Sequence, residues 1–147
     1  MVDPKATLVR AWMTKARSDL GTARKLASGP DSYLDTAIYH CQQAAEKAIK
    51  ALLVQNDLRF EKTHDLEVLI ARATPVAPRL NQLLDQADRL TPYAVAYRYP
   101  GEELVPSAEE FAAALFAAEE IFACIESLLS LESPSENSDT EAGGNPN

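Results

Sequence analysis

Two histidines, His40 and His64, and the cations spaced around them are the residues of this chain best placed to do chemistry. An imidazole is the side chain whose ordinary range spans neutral pH, so it can take or give a proton there. His40, Gln43, Lys47 and Lys50 follow one another at spacings of three, four and three. On a helix turning about 100° per residue they fall in one arc about 80° wide. One imidazole, one amide and two ammonium groups on a single strip could hold an anion. A solvated helix face carries the same residue types with no ligand, and Glu46 beside the strip dilutes its positive charge.

Two further groupings invite the same question. Arg59 and His64 stand in the order R-x4-H within RFEKTH, and an arginine with a histidine can grip a phosphodiester and move its proton. The spacing also arises by chance, in which case His64 is simply a first-turn helix residue. In Tyr97-Arg98-Tyr99-Pro100 an arginine lies between two rings. Tyrosines stack a base and a guanidinium clamps a phosphate. The alternative is a structural corner in which the tyrosines pack and Arg98 pairs with Glu102 or Glu103. Glu61-x-x-His64 is a single pair where a di-iron bundle needs two and additional glutamates, so no metal and no cofactor is expected. No glycine-rich phosphate loop and no GxSxG occurs.

The element that must carry the strip is also the best amphipathic helix of the chain. Ala37, Cys41, Ala44, Ala45, Ala48, Ile49 and Leu52 occupy an arc about 140° wide, which is a core face. That helix is capped at Asp31 or Ser32 and runs to Gln55. Before it, Asp3-Pro4 reads as a cap and first helical position, and Leu8, Trp12, Ala16, Leu20, Ala23 and Ala27 mark a helix from Pro4 to Ala27 that Ser28-Gly29-Pro30 stops. Thr63 reads as the cap of a short helix from His64 to Ala73. A fourth spans Ala77–Leu90, interrupted at Thr91-Pro92, with Tyr93–Arg98 continuing as helix. Ser107-x-x-Glu110 is a capping box opening a last, alanine-rich helix. The expected core includes Trp12, Leu20, Ile38, Cys41, Ala45, Ala48, Leu52, Phe111, Leu115 and Phe122. With no sustained period-two alternation, the fold class is all-α: an antiparallel up-and-down bundle of four long helices with one short helix inserted.

The 147 residues suit one domain. Net charge is −8, but Glu132–Asn147 holds four acids and no base; without it 18 acids face 14 bases. Residues 1–131 therefore read as the bundle and 132–147 as a disordered acidic tail. A mildly acidic body argues against nucleic-acid binding by bulk charge and leaves room for a local basic site. Cys41 and Cys124 read as small buried hydrophobes in a reducing compartment. The absence of a signal-like start and of any 18-residue apolar run points to a cytoplasmic protein without a membrane span.

In order and spacing, YHCQQAAEKAIKALL, KTHDL, YRYPG and the terminal Ala/Glu-rich helix resemble the HEPN domain family over about Leu8–Leu131. The resemblance implies an all-α bundle that forms a homodimer and binds a nucleotide or RNA. It further implies a nucleotidyltransferase partner in a toxin–antitoxin-type pair. Some members are metal-independent endoribonucleases with R-x4–6-H late in the bundle. Here no histidine follows Arg98, and Arg59-x4-His64 lies early, with Phe60 where a polar residue is usual. Catalysis stays open, its candidates being His64, Arg98 and Arg59. The expected ligand-binding residues are His40, Gln43, Lys47, Lys50, Lys62, His64, Arg98 and Tyr99. His64, Lys47 and Arg98 are expected to face one cleft walled by Tyr99. The alternative to a binding protein is a non-catalytic dimeric helical interaction module.

Overall fold

The computed structural model describes residues 2–101 and 105–132. All regular structure among them is helical: α1 (Pro4–Ala27), α2 (Leu34–Gln55), α3 (Leu66–Ala73), α4 (Leu84–Leu90) and α5 (Ala108–Glu132). Short 3-10 turns, Pro78–Leu83 and Thr91–Ala94, flank α4. Of the acidic tail, residues 133–147 lie outside the described residues, as do Glu102 and Glu103.

α2 is the central element, packed along α1 and α5 and against α3. Its alanines make that possible: Ala37, Ala44, Ala45, Ala48 and Ala51 are fully buried and let neighbouring backbones approach, while Ile38, Ile49, Leu52 and Leu53 fill the space between. α1 runs antiparallel to α5, with Arg17 pairing Glu126 (2.7 Å) and Arg24 pairing Glu119 (3.0 Å). α1 begins as its sequence dictates. Asp3 accepts from the Lys5 N–H (3.0 Å), Pro4 takes the first position, and Arg24 and Lys25 sit in the last turn beside its free carbonyls. Gly29, at φ 84°, turns the chain out of it.

α2 ends in a Schellman motif. Leu58 N–H reaches the Leu53 carbonyl (2.9 Å) and Asp57 N–H the Val54 carbonyl (3.1 Å), with Asp57 in the left-handed region at φ 54°. Lys5 holds the Asp57 carboxylate at 3.2 Å.

Several expectations need correction. α2 starts at Leu34, with Tyr33 in the cap position and no side-chain cap. α3 starts at Leu66, because Asp65 caps it by accepting from Glu67 and Val68 N–H. Thr63 Oγ1 instead accepts from Asp65 N–H (3.1 Å), a local turn that competes with helix. The fourth long element is broken into 3-10, α and 3-10 pieces. Residues 95–98 do not continue as helix, and Tyr97 sits at φ 65°. Trp12 and Leu115 are half-buried rather than buried, and Leu8 is exposed. The other expected core residues are buried. Both cysteines are free and buried; burial, aided by Glu119, pushes the Cys41 thiol up to about 12.

Candidate functional site

The polar strip of α2 is organised by two carboxylates on core-facing positions. Asp19 stands on α1 between Ala16 and Ala23, both fully buried. Its Oδ1 lies 2.9 Å from His40 Nδ1, and its Oδ2 accepts from Lys47 Nζ at 2.6 Å. Because His40 and Lys47 are seven residues apart, two helical turns, one carboxylate can hold both. A carboxylate only accepts, so it orients the imidazole with Nδ1 inward and Nε2 outward. His40 and Lys47 side chains keep about a quarter of their surface exposed, against 10% for Asp19.

Glu46 is the second hub, 4% exposed. Its Oε1 lies 2.6 Å from His64 Nδ1, and its Oε2 accepts from Lys50 Nζ at 3.2 Å. Fully buried Gln42 donates to the His64 carbonyl (3.1 Å) and to Glu46 (3.3 Å), and accepts from Gln43 (2.6 Å). Lys50 lies 5.8 Å from the Trp12 ring centroid and 5.6 Å from that of Phe60, where an ammonium gains from the ring faces. His64 and the Phe60 ring thereby fasten the 58–65 connection to α2.

Arg98 completes the arrangement from the other side. Its guanidinium carbon stacks 4.4 Å from the Tyr39 ring centroid and 5.7 Å from that of Tyr99, and Nη1 donates to the Ala94 carbonyl (3.0 Å). The positive φ of Tyr97 belongs to the turn that presents it, since such a conformation is costly for a bulky residue. Glu110 holds that turn: it accepts from Tyr97 OH at both oxygens (3.1 and 2.9 Å) and from Tyr93 OH (2.6 Å). Burial and this bond push the Tyr93 phenol well above its ordinary range. Arg98 lines a cavity of about 180 Å³ with Asp35, Thr36, Tyr39 and Tyr97.

The expected residues therefore divide. His40 and Lys47 share Asp19, and His64 and Lys50 share Glu46. Gln43 lies between His40 and Lys47 on α2 and donates to Gln42, which is bonded to the Glu46 group. Lys47 and His64 are not walls of the Arg98 cavity. Tyr99, 65% exposed, stands beside Arg98. Arg59 and Lys62 are exposed on the 58–65 connection, and Arg59 lines a larger cavity of about 660 Å³ with Phe60, Val68 and Arg72. Tyr39 and Asp19 were not anticipated, and Glu46 was read only as a charge diluting the strip. The signal for the two acids was present: each sits among alanines and branched aliphatics on an apolar face, where an acid persists only if paired. Among the described residues no three His, Cys, Asp or Glu side chains are grouped as a metal ion would need. No described helix is long and apolar enough to cross a membrane.

The HEPN domain matches residues 9–128, nearly the whole described body. The chain belongs to the HEPN domain family. An archaeal HEPN homologue of known crystal structure is similar to this HEPN protein in fold, with a TM-score of 0.62 and 24% identity over 82% of this chain and 97% of the other. No curated protein matches it. Asp19, the α2 strip and Arg98 all fall within the matched residues of this HEPN domain.

Proposed function

We propose that this HEPN protein binds a nucleotide or an RNA and acts beside a minimal nucleotidyltransferase in a toxin–antitoxin-type pair in the cytoplasm. The observation that carries the binding reading is the stacked Arg98 guanidinium on Tyr39, next along α2 from the Asp19-held His40 and Lys47. A fork, two flat rings and an oriented imidazole suit an anion with an aromatic base. The partner and the setting rest on membership of the family alone.

A labelled nucleotide and a short single-stranded RNA, titrated at low salt, test the reading. Wild type binds, the affinity falls as salt rises, and Arg98→Ala loses about tenfold, one charge-assisted contact's worth. The control Arg10→Ala, on the outer face of α1, leaves it unchanged. Equal affinities for the two variants would favour the interaction-module reading instead.

The homodimer belongs to the same proposal. Tyr93 is buried and Tyr97 half-buried, so on the tyrosine turn and α5 the large apolar residues exposed to a partner copy are Val95, Tyr99 and Phe116. Sedimentation at micromolar concentration distinguishes a dimer from the 16.0 kDa chain.

A further inference from the structure

Every charge on the α2 strip has a partner inside the protein, but the two hubs leave different atoms facing out. At Asp19 both oxygens are used from behind, by His40 and Lys47. Because both side chains touch that carboxylate, His40 Nδ1 and Lys47 Nζ lie within about 8 Å of one another. Asp19 occupies Nδ1 and one ammonium N–H, so Nε2 of His40 and the remaining N–H groups of Lys47 are the atoms left for an anion. Tyr39 joins this pair to Arg98: its ring centroid is 5.6 Å from that of His40 and 4.4 Å from the guanidinium carbon. The guanidinium therefore lies within about 10 Å of the imidazole.

We propose that His40, Lys47 and Arg98 form a reader of terminal phosphate monoesters, with Asp19 as the residue that positions the first two. This rests on the nucleotide or RNA reading above and adds which chemical group is recognised and how. The charges facing the site are Asp19 from α1, Lys47 from α2, and Arg98 and Asp35 around the small cavity. With His40 neutral, Asp19 and Lys47 cancel and Arg98 alone remains to face the anion, offset by Asp35. With His40 protonated, the site gains a full positive charge. A monoester carries close to two negative charges near neutral pH and an internal diester only one, so the monoester draws the proton onto Nε2 more strongly. Asp19, already hydrogen-bonded to Nδ1, leaves Nε2 as the ring atom that takes the proton. Recognition of the terminal phosphate is thus coupled to uptake of one proton by His40, and no bond in the ligand is broken.

The test uses one short RNA made with a 5′-phosphate, with a 3′-phosphate and with hydroxyls at both ends, together with inorganic phosphate as competitor. Wild type is expected to favour one phosphorylated end over the hydroxyl form by about tenfold. Calorimetry in two buffers of different ionisation enthalpy reads a net proton uptake for that end alone. His40→Gln keeps the fold, checked by circular dichroism and urea unfolding, and abolishes both the preference and the uptake. A merely structural histidine would leave both in place in any variant that still folds. If all three RNAs bind wild type equally, or the preference survives His40→Gln, the phosphate reader is overturned while nucleotide or RNA binding stands. If none of them binds, both are overturned.

Discussion

Asp19 and Glu46 each hold one lysine and one histidine, yet they build different things. At Glu46 the lysine is the enclosed partner, 12% exposed between Trp12 and Phe60, and the histidine comes from a connecting segment, 65% exposed. Breaking that hub strands a buried ammonium and frees a loop. At Asp19 both the histidine and the lysine come from one helix and both reach solvent. Breaking that hub disorients two side chains without stranding either. The same three residue types therefore serve as a fastening in one place and as an exposed, preorganised surface a turn away. What separates them is how far the lysine can reach water.

That contrast is sharpest in stability. Glu46→Gln leaves Lys50 without its counter-charge in an apolar box and is expected to cost about 3–5 kcal/mol. Asp19→Asn is expected to cost less, about 1–3 kcal/mol, because Lys47 and His40 can turn outward. Urea unfolding of both variants measures the difference. A larger loss for Asp19→Asn would reverse the roles assigned to the two hubs.

A smaller effect lies away from both, between α3 and α4. Glu67 titrates above its ordinary range because of a hydrogen bond with the Asp88 side chain, helped by a slight loss of hydration and by the nearby acids Asp88 and Asp65. With a raised pKa in the folded state, the folded chain holds a proton that the unfolded chain has already lost. The contribution of this group to stability is therefore fully present below the ordinary carboxylate range and is lost as pH rises through the raised value. Asp88→Asn removes the second acid and flattens that decline, read as the melting temperature between about pH 4 and 6. Glu67 is solvent-exposed, so the change is slight, and a steeper decline in the variant would contradict it.

The hubs also show where the sequence could be read and where it could not. α1 was legible to the residue, since its cap, its proline and its period of three to four agree. The strip of α2 was legible as a strip. Its partners were not, because Asp19 and Glu46 look like ordinary surface acids until their neighbours on the helix are counted. Residues 74–101 were least legible. Pro75, Pro78 and Pro92 set the breaks, but a 3-10 turn and an α-helix share the same apolar spacing over one turn. Nothing in YRYPG announces that Tyr97 adopts a positive φ, which follows from the Glu110 contacts across the bundle. The same tertiary contact aims Arg98 at Tyr39, a residue that spacing alone assigned no role.

The central claim is that the ligand surface of this HEPN protein is the Asp19-held pair with Arg98, and not the larger cavity beside Arg59. Backbone and side-chain NMR on isotope-labelled protein, titrated with a short 5′- or 3′-phosphorylated RNA, tests it most directly. The account predicts that shifts cluster at Tyr39, His40, Gln43, Lys47 and Arg98 and saturate together. Shifts centred on Arg59, Phe60, Val68 and Arg72, with the α2 strip unmoved, would contradict it.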